Sequence, residues 1–232
     1  MLESRNVIKV FSGKTAVDQV SVRLEQGHVY AMLGPNGSGK TTWMKMAAGL
    51  VKPTSGEMLF ENQPVGIESR RHIAYMSTEP YFYAWMSARD VGRYYADFFE
   101  DFSGTQYAEL LDRMELTETM KTKSLSSGMM AKLKIAVTLA RDARVYMLDE
   151  PFNGIDLLSR DEIRRCILDR AVPEKLILLS SHLVEEMETI ADSAVFLREG
   201  HLIETDDLDQ LRTEKGISMT DRYREIYGHV EG

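Results

Sequence analysis

Three short stretches, residues 29–33, 145–148 and 176–179, are apolar at almost every position. A strand with one wet face alternates apolar and polar residues, so unbroken runs of this length predict parallel strands covered on both sides. Residues 73–76 read as a further short strand. Residues 106–114 and 129–140 instead place apolar side chains three and four apart, as amphipathic helices do, and helical runs also cover 41–50, 157–168 and 183–190. Two β-rich segments, 7–11 and 16–24, stand at the front, joined by a turn at Ser12-Gly13-Lys14. The aromatic stretch 80–102 carries helical segments. The pattern predicts an α/β core interrupted at residues 78–142 by a helical insertion.

Composition narrows the function without deciding it. With 36 acidic residues against 28 basic, the chain carries a formal charge of −8, so no electropositive field gathers nucleic acid and no nucleic-acid partner is expected. No run approaches the roughly 18–20 apolar residues that cross a bilayer. The start MLESRNVIKV also lacks the basic-then-apolar layout of a signal peptide. Any membrane role is therefore expected to be peripheral, through a partner. The one cysteine, Cys166, cannot close an internal disulfide, as suits a reducing compartment, and is expected to be a buried, inert thiol.

Chemistry enters at Gly34-Pro35-Asn36-Gly37-Ser38-Gly39-Lys40-Thr41, a full match to the P-loop pattern G-x-x-x-x-G-K-[ST]. At average residue usage, chance places this pattern in about one chain of this length in a hundred. Here it also follows a predicted strand and opens a predicted helix. Glycines let backbone N–H groups turn inward around phosphate oxygens, and the helix N-terminus adds its positive dipole end. Gly34, Asn36, Gly37, Ser38, Gly39 and Thr42 are thus expected to cradle a nucleotide. Lys40 would bring a point charge to the β- and γ-phosphates, and Thr41 a hydroxyl to a magnesium ion.

Residues 145–150, Val-Tyr-Met-Leu-Asp-Glu, form an apolar strand ending in two carboxylates. Such a strand would aim Asp149 at the magnesium shell and Glu150 at the γ-phosphate, where it would polarise a water as general base. Two acids after a strand more often open a helix. Their pairing with the P-loop makes them a hydrolytic site.

Leu125-Ser126-Ser127-Gly128-Met129 stands just ahead of a helix and about 20 residues before that strand. Asn153-Gly154-Ile155-Asp156 and Ser180-Ser181-His182 follow the carboxylates. In these five motifs and their order the chain resembles the ATP-binding cassette (ABC) family over nearly its whole length. The resemblance extends to the ATP-binding subunits of prokaryotic drug, antibiotic and peptide exporters. It implies a P-loop NTPase core with an N-terminal antiparallel β-subdomain (residues 1–77 and 143–205), a helical signature subdomain (78–142) and a C-terminal helical tail (206–232). It further implies hydrolysis of ATP with Mg2+, at the cytoplasmic face of the cell membrane.

Further roles come with the resemblance. Ser126 and Gly128 of the signature would close over the γ-phosphate held by a second cassette, in a homodimer or a heterodimer. His182 would be the switch histidine at the γ-phosphate or its attacking water. Phe11 would stack on adenine, and integral membrane permease subunits would be the partners. The alternative is a nucleotide-gated regulatory or non-transport ABC protein with low turnover.

The chain departs from the family's pattern where coupling is concerned. Thr78 occupies the position of the Q-loop glutamine and is too short to reach metal and water; either Glu79 substitutes for it or the site works with weaker coupling. Ser127 and Met129 replace the usual second glycine and the glutamine of the signature. Directly after the Q-loop position, Tyr81, Phe82, Tyr83 and Trp85 crowd into five residues. An exposed subset of them is expected to receive a helix of the membrane partner.

Overall fold

The computed structural model describes residues 1–79 and 81–228. In chain order the elements are β1 (Leu2–Phe11), β2 (Lys14–Leu24), β3 (Val29–Leu33), α1 (Lys40–Ala47), β4 (Ser55–Phe60), β5 (Gln63–Pro64), α2 (Ile67–His72) and β6 (Ile73–Met76). Helices α3 (Ala88–Phe98), α4 (Gly104–Arg113) and α5 (Ser127–Leu139) come next. The chain then runs through β7 (Val145–Asp149), α6 (Leu157–Leu168), β8 (Leu176–Ser181), α7 (Val184–Glu188), β9 (Ser193–Arg198) and β10 (His201–Asp207). The turn α8 (Leu208–Gln210) and helix α9 (Met219–Tyr227) follow it. β10 thus reaches Asp207, past the start of the expected helical tail.

Two sheets form. The first is antiparallel, in the order β2-β1-β4-β5. Its leading hairpin turns through Ser12 and Gly13, both left-handed at φ 46° and 84°, which matches the twist of paired strands. The second sheet has the order β10-β9-β3-β8-β7-β6; β9, β3, β8, β7 and β6 are mutually parallel, and only the edge strand β10 runs against its neighbour.

Alternation along the parallel strands sends side chains to two cores. Ala31, Leu33, Tyr146, Leu148, Ile177 and Leu179 face helices α3 to α6. Tyr30, Met32, Val145, Met147, Leu176 and Leu178 face α1 and the antiparallel sheet. This is why those runs are apolar throughout. Trp43 and Met44 of α1 are completely buried in the second core, and the Trp43 indole N–H donates to Ser4 Oγ at 3.2 Å, so its polar end is satisfied.

Cys166, on α6, is buried as expected, and loss of solvent pushes its thiol pKa up to about 11. Alkylation near neutral pH is therefore expected to leave it unmodified in the folded chain and to label it fully after denaturation, which mass spectrometry would read directly.

Candidate functional site

The register of the parallel sheet assembles the site. β3, β8 and β7 are neighbours, with Leu33 beside Ser181 and Asp149 beside Ser180. Everything that follows the carboxyl ends of these strands therefore meets at one edge: the P-loop after β3, Glu150 after β7 and His182 after β8. Ligands of open parallel sheets sit in such crevices.

Asn36, Gly37, Ser38, Gly39, Lys40, Thr41 and Thr42 line a cavity of about 640 Å3, with Thr78, Glu150, Asn153 and His182 opposite and Lys14, Thr15 and Ala16 on a third side. Two of the P-loop glycines are required by space as well as by backbone angle. At Gly34 (φ 154°) an added Cβ would lie 2.2 Å from Leu197 O, and at Gly39 (φ 104°) 2.7 Å from Ala16 O.

Lys40 is buried, and its Nζ donates to Gly34 O at 2.6 Å and to Pro35 O at 3.2 Å. Burial lowers its pKa, and the charges of Glu150 and Asp149 partly restore it. Glu150 Oε1 is 4.0 Å from the same ammonium, and Glu150 Oε2 lies 2.8 Å from His182 Nδ1. The Glu150 backbone is left-handed, φ 52°, a strained state that its amide's hydrogen bonds to Ser180 O (3.2 Å) and Ser180 Oγ (3.0 Å) help to hold.

Asp149 is completely buried behind this wall. Ser180 Oγ donates to its Oδ1, and the Tyr75 phenol to its Oδ2 at 3.4 Å. Burial, followed by the charge of Asp149, pushes the Tyr75 pKa far up, so the phenol stays a donor. The sequence places Ser180 in the Ser180-Ser181-His182 motif but gives neither it nor Tyr75 the role of holding Asp149, because a serine and a tyrosine at strand ends carry no pattern that reveals such a partner. Among the described residues, no three His, Cys, Asp or Glu side chains cluster as a metal cage. The Thr41 hydroxyl and the Asp149 carboxylate are nonetheless hard oxygen donors. Magnesium commonly takes only one or two protein ligands beside phosphate and water, and this donor set fits it.

Other sequence candidates lie outside the cavity. Phe11 sits at the end of β1, half-exposed, with Lys9 Nζ 4.7 Å above its ring, while the neighbouring Lys14–Ala16 stretch forms the cavity wall. Ser126 caps α5 by accepting from Met129 N at 3.2 Å, and neither it nor Gly128 reaches the P-loop of its own chain. Gly128 instead abuts the loop after β7, since a Cβ there would come within 2.8 Å of Gly154 O. Asp156, in that loop, caps α6 by accepting from Ser159 N at 3.0 Å. Glu79, the other candidate at the Q-loop position, does not line the cavity. Its carboxylate accepts from Lys45 Nζ at 2.6 Å, and it is Thr78 that lines the cavity.

The ABC transporter family matches residues 17–153. The lantibiotic transport ATP-binding protein SrtF of Streptococcus pyogenes is 34% identical over 88% of this chain and 89% of its own length. The bacitracin transport ATP-binding protein BcrA of Bacillus licheniformis is 33% identical over 91% of this chain and 71% of its own. A solved ATP-binding subunit of an ABC transporter superposes with a TM-score of 0.86 at 26% identity, covering 97% of this chain and 99% of that one. With the family matched across more than half of its length, and the P-loop residues, Glu150 and His182 around one cavity, the chain belongs to the ABC transporter family as an ATP-binding, ATP-hydrolysing subunit.

Proposed function

We propose that this chain is the motor of an exporter: two cassettes enclose MgATP, hydrolyse it, and pass their closure and opening to separate membrane subunits. The observation that carries the reading is the meeting of Lys40, Glu150 and His182 at one cavity, while the capped N-terminus of the signature helix points elsewhere. Lys40 would leave the P-loop carbonyls for the β- and γ-phosphates. Glu150 would accept the proton of the attacking water, with His182 orienting it. Thr41 and Asp149 would hold magnesium, which when bound neutralises phosphate charge. Ser126 and Gly128 would meet the nucleotide of the second copy, as a helix N-terminus suits an anion. On this reading residues 78–142 form the helical subdomain that carries the signature.

The relatives named for lantibiotic and bacitracin transport support the reading of export. Among the described residues no helix is long and apolar enough to cross a membrane, which fits attachment at the cytoplasmic face through permease subunits. The test is co-purification from native membranes, then reconstitution of the complex in vesicles. ATP-driven movement of a peptide antibiotic away from the cassette side supports the reading, and movement toward it overturns export.

On this reading those subunits would dock at the exposed aromatics. Tyr83 stacks on Trp85 (5.9 Å between centroids, 11° between planes), and the two rings are 61% and 64% exposed. Tyr94 and Phe98, both exposed, continue the patch. Tyr81 is less exposed, at 36%, with Lys134 Nζ 5.0 Å from its ring. Tyr83→Ala and Trp85→Ala are each expected to weaken binding to the membrane complex by about 2 kcal/mol, roughly thirtyfold. Basal ATPase of the free subunit should stay within about twofold, as for surface substitutions. Pull-down and stimulated-ATPase titrations check this.

A further inference from the structure

Lys134 is an unusual occupant of its helix. It stands on α5 within residues 133–139, which are all closed into the interior, and only 5% of it is exposed. An ammonium taken out of water destabilises the fold unless each N–H finds a strong acceptor. Lys134 Nζ finds three in succession, the carbonyls of Ser77, Thr78 and Glu79, at 3.1, 3.0 and 2.7 Å. Consecutive carbonyls of an extended strand point to opposite sides. A shared donor therefore requires the chain to curl, and β6 ends at Met76, immediately before the three.

The same loop is held from its other side, where Glu79 pairs with Lys45 of α1. It thus hangs between the helix that begins in the P-loop and the helix that begins in the signature. Thr78, in the middle, is part of the nucleotide cavity wall.

We infer that Lys134 is a positioning residue for hydrolysis: it fixes the loop 77–79 against the nucleotide cavity and ties that loop to the signature helix. In this chain the short Thr78 acts by being held in place, not by reaching in. The inference rests on reading the cavity as the hydrolytic site and goes beyond it, because Lys134 itself does not line the cavity.

The test compares Lys134→Met, Lys134→Arg and Glu150→Gln in the full chain. It measures MgATP affinity by equilibrium binding, kcat at saturating MgATP, and amide hydrogen exchange across residues 73–82. Lys134→Met keeps the bulk of the stem and removes all three donors. Because sub-ångström to ångström displacements near reacting groups cost large factors in rate, kcat should fall about tenfold or more while affinity changes less than about twofold. Exchange should rise selectively at 77–79 and stay unchanged in the P-loop. Lys134→Arg restores charge and N–H donors, and should recover at least about a third of the lost kcat.

A Lys134→Met chain with wild-type kcat overturns the inference. So does one whose affinity and kcat fall together without selective exchange. If Lys134→Met does not fold, Lys134→Gln, with two donors on a shorter stem, is judged by the same split. Glu150→Gln separates the two readings. Full turnover in that variant removes the hydrolytic assignment, whereas an inactive Glu150→Gln beside a normal Lys134→Met removes only the role of Lys134.

Discussion

Glu150→Gln is expected to bind MgATP as the wild type does and to hydrolyse it about 10²- to 10⁴-fold more slowly, the usual worth of a positioned general base. The geometry supports both halves of the expectation. Glutamine is isosteric, so it preserves the contact at the place where Glu150 Oε2 lies 2.8 Å from His182 Nδ1 and adds no new strain to the left-handed backbone. What it cannot do is accept a proton from water. Lys40→Ala fails at an earlier step. It removes the charge meant for the phosphates and the Lys40 donor to Gly34 O, while Pro35 O keeps the Ser38 N–H at 3.2 Å. Hydrogen bonds to charged groups contribute about 1.5–3 kcal/mol, so affinity should fall about 10- to 100-fold or more. Calorimetric titration with MgATP and a phosphate-release assay distinguish the two failures. Wild-type turnover in Glu150→Gln would take the base role away from this carboxylate, and wild-type affinity in Lys40→Ala would take the phosphate from Lys40.

The parallel strands are the most legible part of the fold. β3 and β6 fall where the apolar runs put them, while β7 and β8 run one and two residues beyond 145–148 and 176–179. The added residues are Asp149, Ser180 and Ser181, all buried and polar, and Asp149 and Ser180 bond each other across the strands. An apolar pattern stops where the site begins, since function there overrides the hydrophobic rule. β4 opens on exposed Ser55, Gly56 and Glu57, and β10 alternates along a sheet edge, so neither offers a run to read. The P-loop, Glu150 and His182 are legible because their spacing is local or because each follows a strand. The supports are not. Lys134 finds its carbonyls 55 to 57 residues away, and Tyr75 finds Asp149 across 74. In the sequence a lysine on a helix is indistinguishable from a solvated one, and only tertiary approach turns it into a clamp.

Assembly gives the second large effect. In the Glu150→Gln background, MgATP is expected to convert the chain from one copy to two, since each signature must reach a nucleotide that its own chain does not present to it. The sharpest way to break that contact is not at Gly128, although a carboxylate there would face the phosphate. Any side chain at 128 also meets Gly154 O within its own chain at 2.8 Å, so loss of dimer could come from a distorted loop. Ser126 is the cleaner position. It is exposed and caps α5 through its side chain, and aspartate caps a helix about as well as serine does. Ser126→Asp therefore preserves the fold and sets a negative charge against the γ-phosphate of the neighbour. Two like charges 4 Å apart repel by about 4 kcal/mol at the effective dielectric of a protein surface, roughly a thousandfold in affinity at each site. Light scattering of Glu150→Gln with MgATP should read two copies, and of Glu150→Gln with Ser126→Asp only one, at equal nucleotide occupancy. Salt should narrow the difference, because screening weakens an exposed repulsion. If the doubly substituted chain dimerises as readily as its parent, the signature does not face the neighbour's phosphate. If neither dimerises, the second cassette must be a different polypeptide.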